Sequence, residues 1–179
     1  MKCIQTNLKG VLVIETDAFH DERGYFKEYF HQERYKEFGI TENFVQDNHS
    51  FSKKGVLRGL HFQEKFPQGK LVTCMSGAVY DVAVDIDPKS PSFRQYFGIE
   101  LSESNNRQLW IPPGYAHGFC VLSEEAHFHY KCSQKHIPDD ERGILWSDEM
   151  ISIDWPLLNP LISAKDSHNP TLSKYLSEI

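Results

Sequence analysis

The sequence predicts an all-β protein whose strands form an antiparallel barrel of the jelly-roll type. Three observations support this fold class: short segments rich in β-branched and aromatic residues, turn signals between those segments, and a scarcity of helical patterns. The chain has 179 residues, which is enough for one substantial hydrophobic core and too few for two independent ones. We therefore expect a single jelly-roll domain over residues 1–179.

The predicted strands follow one another at the short intervals typical of a sandwich or barrel. Segments rich in β-branched and aromatic residues lie at residues 11–14, 24–30, 71–75, 79–84 and 97–101. The turn signals between segments include Ser76-Gly77, Asp87-Pro88, Ser90-Pro91 and Pro112-Pro113-Gly114. Helix is predicted only for residues 31–38, where Gly39 ends the pattern, and for a turn or two after Pro170.

Composition argues against several functional classes. A formal net charge of −6 argues against nonspecific nucleic-acid binding, which requires a basic surface. No apolar run approaches the roughly 20 residues of a membrane span, and the first residues lack the apolar stretch of a secretory signal, so we expect a soluble, cytoplasmic protein. The cysteines, at positions 3, 74, 120 and 132, lack the paired short spacing of metal or redox motifs and are expected to be reduced thiols.

Three charged or titratable side chains stand among apolar strand-forming residues in the middle of the chain: Arg58, His61 and Lys70. An arginine can bind a phosphate, a histidine can take a proton near neutral pH, and a lysine can stabilise a developing oxyanion. Each of them alone is better explained as a solvated charge or a hydrogen-bonded core group. A regular strand sends Arg58 and His61 to opposite faces, so a bulge at Gly59 is the simplest way to bring both into one pocket.

Strict alternation sorts the side chains of the segment at residues 126–132. Tyr130 lies on the apolar face with Phe128, whereas His127 and His129 lie on the opposite face. If the apolar face lines the interior, Tyr130 points inward. The His-x-His pair then points outward, which argues against a metal site there.

Two further residues stand at positions that local pattern leaves ambiguous. His117 follows a rigid Pro-Pro-Gly turn, a place where functional residues often lie. Asp166 is either a helix or turn cap or the partner of a histidine, and the local pattern favours the cap.

Seven motifs resemble, in order and spacing, those of the dTDP-4-dehydrorhamnose 3,5-epimerase family. They are residues 21–26 (DERGYF), 46–50 (QDNHS), 56–63 (VLRGLHFQ), 70–72 (KLV), 111–119 (IPPGYAHGF), 130–132 (YKC) and 163–166 (SAKD). The resemblance covers nearly the whole chain. It implies a cupin-type jelly roll, a homodimer without metal or cofactor, and an isomerase. The substrate it implies is a nucleotide-linked 4-keto-6-deoxysugar of the dTDP-4-keto-6-deoxy-glucose type, epimerised at C3 and/or C5 in deoxysugar (dTDP-L-rhamnose-like) biosynthesis.

The resemblance also implies a role for individual residues. His61 is similar to the general base of the family, Asp166 to the carboxylate that orients it, and Tyr130 to the general acid. Lys70 is similar to the residue at the substrate keto oxygen. Positions similar to those that hold the nucleotide, the diphosphate or the sugar are Arg23, Glu28, Gln46, Asp47, Asn48, Arg58, His117, Glu141 and Lys165. The strand from Arg23 to Glu28 is implied to cross to the partner subunit, so that each site is built from two chains.

Two positions depart from the family pattern and bear on the identity of the nucleotide or sugar. His136, also a predicted binding residue, replaces a tyrosine that stacks on the thymine ring, and Asp87 stands where an arginine is common. The reaction itself is less affected, because a C4 ketone acidifies the hydrogens on C3 and C5 in any such sugar. Three alternatives stay open: a single-site 3- or 5-epimerase on a different nucleotide sugar, a metal-dependent cupin enzyme, and a noncatalytic sugar-nucleotide-binding module.

Overall fold

The computed structural model describes residues 1–178 and consists mainly of antiparallel strands. The strands are β1 (Lys2–Gln5), β2 (Leu12–Glu15), β3 (Ala18–Asp21), β4 (Gly24–Lys27), β5 (Gln46–Lys53), β6 (Val56–Gln63), β7 (Lys70–Ser76), β8 (Ala78–Asp85), β9 (Tyr96–Ser102), β10 (Arg107–Ile111), β11 (Tyr115–Val121), β12 (Glu125–Cys132), β13 (Glu141–Gly143) and β14 (Leu161–Ile162). The helices are α1 (Gln32–Glu37), α2 (Ala164–Ser167) and α3 (Leu172–Ser177), with a 3-10 turn at Pro138–Asp140. No helix among these is long and apolar enough to cross a membrane.

Two sheets pack face to face and confirm the predicted all-β jelly-roll class. The first sheet has the strand order β1-β2-β10-β7-β12-β5, and the second has the order β13-β6-β11-β8-β9, with β14 added in parallel to β6. Strands distant in sequence are neighbours in both sheets, as in Greek-key connections. A separate hairpin of β3 and β4 stands outside both sheets.

The hydrophobic core lies between the inner faces of the two sheets. Alternate residues of facing strands meet there, as in the contact of Val72 and Leu109 from the first sheet with Phe119 from the second. The outer face of the second sheet is covered by the C-terminal segment, through residues such as Trp155 and Tyr175. Both faces of the second sheet are therefore buried, which fixes the strands that carry the site described below.

The short helices agree with the sequence signals, and one predicted strand is shorter than expected. Helix α1 ends at Glu37, and its C-cap residue Phe38 is followed by Gly39 at φ +88°, as the helix-stop pattern predicts. Helix α3 begins after Thr171, whose hydroxyl accepts a hydrogen bond from the Lys174 amide. The strand predicted for residues 24–30 ends at Lys27, because beyond it the chain turns away from the hairpin and the Tyr29 carbonyl accepts hydrogen bonds from side chains.

Candidate active site

A cavity of about 390 Å³ opens between the two sheets, where strands β5, β6, β7, β11, β12 and β13 meet helix α2. It collects all four of the predicted catalytic side chains: His61, Lys70, Tyr130 and Asp166. It also collects most of the predicted binding residues, namely Gln46, Asn48, Arg58, His117, His136, Glu141 and Lys165. Residues far apart in sequence therefore form one polar cavity.

The predicted bulge at Gly59 is confirmed and brings Arg58 and His61 into the same cavity. In the β6–β11 pairing, His61 faces His117 and Arg58 faces Phe119, so β6 holds one more residue than β11 over this stretch. Gly59 has φ +112°, and a Cβ atom at this position would lie 2.6 Å from the Gly118 Cα atom. Only glycine fits at this point of the strand.

His61 and Asp166 form a hydrogen-bonded pair at one side of the cavity. The His61 Nε2 atom lies 2.6 Å from the Asp166 Oδ1 atom, and the Gly59 amide donates to the other carboxylate oxygen at 3.2 Å. The local interpretation of Asp166 as a cap is wrong. Ser163 caps helix α2 by accepting a hydrogen bond from the Asp166 amide, and this turn leaves the Asp166 side chain free to point at His61.

The electrostatics of this pair favour an ionised carboxylate beside the histidine. Burial opposes ionisation of Asp166, but hydrogen bonds from His61, the Gly59 amide and Ser163 lower its pKa below the usual value. An ionised Asp166 accepts a hydrogen bond only from a proton-bearing Nε2, so a His61 ring with a single proton keeps its lone pair on Nδ1. The arrangement is that of an oriented general base.

Lys70 lines the cavity and is only 9% exposed. Burial lowers the pKa of its ammonium, while Cys132, Glu141 and Asp81 act in the opposite direction. Among residues 1–178 no carboxylate lies within ion-pair distance of this ammonium. Lys70 is therefore available to meet an oxygen of a ligand.

Tyr130 lies on the opposite wall, because β12 belongs to the first sheet and β6 to the second. Its inward orientation, predicted from alternation, is confirmed. The centroids of the Tyr130 and Phe128 rings lie 6.1 Å apart. Burial raises the pKa of Tyr130, Cys132 and Glu141 add to this effect, and Arg58 opposes it. The phenol is therefore a protonated group that faces His61 across the cavity.

The rim of the cavity is a network of polar side chains. Glu141 pairs with Lys165 and lies 3.6 Å from His136. The Gln46 side-chain oxygen Oε1 accepts a hydrogen bond from the His136 backbone amide at 2.9 Å. Arg58 also lines the cavity and donates through Nε to the Ser52 hydroxyl at 3.0 Å, which orients the guanidinium and leaves its other N–H groups for an anion.

The structure does not bring three of the predicted binding residues to this cavity. Asp47 points to the other face of β5, between the inward-facing Gln46 and Asn48, and its carboxylate lies 2.7 Å from the Lys131 ammonium. Arg23 lies on the exposed turn of the β3–β4 hairpin and pairs with Asp21. Glu28 follows the hairpin, and its Oε1 atom lies 2.7 Å from the Arg34 guanidinium.

Several residues that sequence reasoning missed belong to the site or to its immediate support. Ser50 and Gln68 line the cavity, and Asp81 is hydrogen-bonded to His117 from behind. Alternation along β5 could have found Ser50, because Gln46 and Asn48 share its face. Among the described residues, no group of three or more His, Cys, Asp or Glu side chains has an arrangement suited to a metal ion.

Over nearly its whole length, the chain is similar to known proteins of one family. The family model of dTDP-4-dehydrorhamnose 3,5-epimerase matches residues 5–174. The chain is 56% identical over 168 residues to the dTDP-4-dehydrorhamnose 3,5-epimerase of Shigella flexneri, with 93% of each chain covered. It is 52% identical over 179 residues to the enzyme of the same name from Salmonella typhimurium, with 98% of each chain covered.

A solved structure extends the agreement to three dimensions. The crystal structure of dTDP-6-deoxy-D-glucose-3,5-epimerase from Legionella pneumophila, in complex with dTDP-4-keto-L-rhamnose, superposes with a TM-score of 0.96 at 48% identity. The alignment covers 99% of this chain and 95% of that chain. The fold, the full-length sequence match and the family model agree, and the chain belongs to the dTDP-4-dehydrorhamnose 3,5-epimerase family.

Proposed function

We propose that this protein is an epimerase that inverts C3 and C5 of dTDP-4-keto-6-deoxy-glucose by proton abstraction next to the C4 ketone. The observation that carries the proposal is the convergence of the His61–Asp166 pair, Lys70 and Tyr130 on one cavity. Epimerisation next to a ketone needs a base, a donor to the enolate oxygen and an acid on the opposite face. The cavity offers one side chain for each of these tasks.

His61 removes the proton from the carbon next to the ketone. Its Nδ1 lone pair is the free position on the ring, because Nε2 is engaged with Asp166 at 2.6 Å. The carboxylate stabilises the imidazolium that forms as the proton arrives. The electron pair of the broken C–H bond moves into the enolate, whose oxygen then carries the negative charge.

Lys70 stabilises that enolate oxygen. A fixed cation at a developing oxyanion acts strongly in a largely buried site, where loss of one such donor typically costs about 3 kcal/mol of barrier. Lys70 meets this description because it is buried and has no ion-pair partner among residues 1–178. Tyr130 then donates a proton to the same carbon from the other wall of the cavity. The substrate regains the proton that it lost to His61, but on the opposite face, so the carbon is inverted.

The nucleotide and diphosphate occupy the polar rim in this proposal. Arg58 is held by Ser52 and can bind a phosphate oxygen through its remaining N–H groups. Lys165 adds a second cation, and Gln46, Asn48, His136 and Glu141 offer hydrogen bonds to the nucleoside. The dTDP-sugar bound to the Legionella relative supports this class of substrate.

The proposed homodimer gives a place to the predicted residues that lie outside the cavity. The β3–β4 hairpin exposes two large apolar side chains, Phe19 at 64% and Phe26 at 71%, and carries Arg23 at its turn. Apolar exposure of this kind is typical of a surface that another chain covers. We infer that the hairpin of each subunit completes the partner's site with Arg23 and Glu28.

Isotope exchange tests the proposed reaction. The enzyme is incubated with dTDP-4-keto-6-deoxy-glucose in deuterated buffer, and proton NMR reports which carbons lose their hydrogen. Loss of the signals at both C3 and C5, with inverted product, is the expected result. Exchange at one carbon only would establish a single-site epimerase, and no exchange at either carbon would reject an epimerase of this substrate.

Subunit complementation tests the shared site. His61→Asn and Arg23→Ala chains, each inactive or weak alone, are coexpressed and the mixed dimer is purified through two different tags. If each site uses one chain's His61 and the other chain's Arg23, the mixed dimer regains activity. A mixed dimer no more active than its parents would place Arg23 outside the site, and a monomeric wild-type protein in light scattering would reject the dimer itself.

A further inference from the structure

A second histidine–carboxylate pair lies beside the first and has no role in the mechanism above. The His117 Nε2 atom is 2.9 Å from the Asp81 Oδ2 atom, and the two residues are 6% and 0% exposed. His117 lines the cavity directly opposite His61 in the β6–β11 register, whereas Asp81 on β8 lies behind it and does not line the cavity. Asp81 can therefore act on a ligand only through His117.

Asp81 is poorly accommodated for a purely structural residue. Its Oδ1 atom is buried and has no hydrogen-bond partner among residues 1–178. Its register neighbours on the adjacent strands are the apolar Phe119 and Ile99. A buried carboxyl oxygen without a hydrogen-bond partner is costly, so the fold loses stability by keeping this side chain here. His117 is the one hydrogen-bond partner that this carboxylate has among the described residues.

The Asp81 carboxylate decides which of the two ring nitrogens of His117 carries the proton. An ionised carboxylate accepts only a proton-bearing Nε2, which leaves the lone pair on Nδ1. The groups that act on the ring are Asp81 from β8, Lys70 from β7 and His61 from β6. Burial lowers the pKa of His117, Asp81 opposes this, and Lys70 and His61 lower it further. His117 is consequently a neutral ring that accepts hydrogen bonds and does not donate them to the cavity.

We propose that Asp81 is a positioning residue that locks His117 as the Nε2–H tautomer, so that His117 accepts a hydrogen bond from a hydroxyl of the bound sugar. The identity of the ligand rests on the proposed function, whereas the tautomer does not. In both pairs a carboxylate orients a histidine, but the two histidines have different tasks. Asp166 prepares His61 to take a proton, and Asp81 prepares His117 to hold the sugar in place for that transfer.

The tautomer is measured first, on the unmodified protein. Nitrogen-15 NMR of histidine-labelled enzyme distinguishes a protonated from an unprotonated ring nitrogen, and His117→Asn identifies its signals by their loss. We expect His117 to be protonated at Nε2 and bare at Nδ1 between pH 6 and 8. An Nδ1–H tautomer, or an imidazolium that titrates in this range, would overturn the proposal even if the enzyme is a fully active epimerase.

Kinetics then test whether Asp81 acts through His117. Asp81→Asn keeps the volume of the side chain, but its amide can both donate to and accept from Nε2, so the tautomer is no longer fixed. We expect kcat to fall by roughly 10- to 100-fold, as for other carboxylates that orient a histidine. In a His117→Asn background the same substitution should leave kcat unchanged, because the ring on which Asp81 acts is gone.

A matched control separates positioning from general loss of structure. Asp85 is a second buried carboxylate on β8, hydrogen-bonded by Ser92 at 2.6 Å and outside the cavity, so Asp85→Asn should retain kcat. An equal loss from Asp81→Asn in both backgrounds, or no loss in either, would reject the proposal. If Asp81→Asn does not fold, the NMR measurement on the unmodified protein still decides it.

Discussion

The two faces of the β5–β12 pair differ in whether their polar side chains find hydrogen-bond or ion-pair partners within the protein. On the outer face, the Asp47 carboxylate lies 2.7 Å from the Lys131 ammonium, and His49 and His127 share a hydrogen bond of 3.0 Å. Each of these outer groups has a protein partner. They are solvated or paired as ordinary surface residues are.

On the inner face, two hydroxyl groups lack protein partners. The Ser50 hydroxyl is buried without a hydrogen bond, and the Tyr130 hydroxyl has no partner among residues 1–178. Buried polar groups are normally paired, so unpaired ones at a cavity wall indicate that a ligand completes them. The same strands thus hold a surface on one side and a binding site on the other, and the side-chain direction decides between the two.

The sharpest way to break this comparison is to remove one histidine from the cavity and one from the outer face of β12. His61→Asn should lower epimerisation by about 10⁴-fold, at the upper end for loss of a general base, and abolish solvent exchange at every carbon. His127→Asn is the matched control on the outer face and should keep its turnover. Near-normal turnover in His61→Asn, measured by the NMR exchange assay, would discard the proposed base.

Tyr130→Phe separates the acid from the base. His61 can still remove the proton and Lys70 can still hold the enolate, so the carbanion forms but has no proton donor on the far side. We expect inverted product to fall by roughly 10²-fold, while substrate of the original configuration still takes up deuterium. Loss of deuterium uptake as complete as in His61→Asn would mean that Tyr130 does not act as the acid.

Arg58→Ala tests the proposed anion site of the cavity. Loss of a charge-assisted hydrogen bond to a phosphate should weaken binding of thymidine diphosphate by about 1.5–3 kcal/mol, or roughly 10- to 150-fold in Kd. Arg107, which pairs with Glu15 away from the cavity, provides the control variant Arg107→Ala. Equal affinities of both variants in titration calorimetry would place the phosphates elsewhere.

The contrast between the two faces also explains what the sequence could predict. Alternation over 126–132 correctly separates Tyr130 from His127 and His129, because side-chain direction in a regular strand depends only on sequence position. The bulge at Gly59 was predictable for the same reason. Two functional residues three positions apart cannot share a face without one, and glycine marks where it falls.

Long-range partners were beyond local reasoning. Nothing within a few residues of Asp166 indicates that helix α2 returns to β6, so the local pattern favoured a cap where the fold makes a partner for His61. Asp81 lies in an apolar strand, and its pairing with His117 depends on the register of β8 against β11. Asp47 is similar to a binding position of the family. Its place between Gln46 and Asn48 in a regular strand nevertheless already indicates that its side chain points to the outer face of β5.

His136→Tyr sharpens the comparison at the rim, where the inner face meets solvent. His136 is 44% exposed at its side chain and lies 3.6 Å from Glu141, so a larger ring can replace it without disturbing the core. If the base stacks here, a tyrosine should tighten thymidine diphosphate binding several-fold, as expected for an aromatic pair worth about 0.5–1.5 kcal/mol. Unchanged or weaker binding in calorimetry would indicate a different base or a different pocket.

Ser50→Ala gives the smallest expected effect and tests the comparison most directly. The Ser50 hydroxyl has no protein partner, so its removal breaks no bond in the free enzyme and should leave the unfolding temperature unchanged or slightly raised. If the hydroxyl is completed by substrate, KM should rise by about 3- to 10-fold, as for one neutral hydrogen bond. Ser50→Thr keeps the hydroxyl and should restore KM. A Ser50→Ala enzyme with unchanged KM and lower stability would mean that this buried hydroxyl serves the fold, and that an unpaired polar group at the cavity wall does not identify a ligand contact.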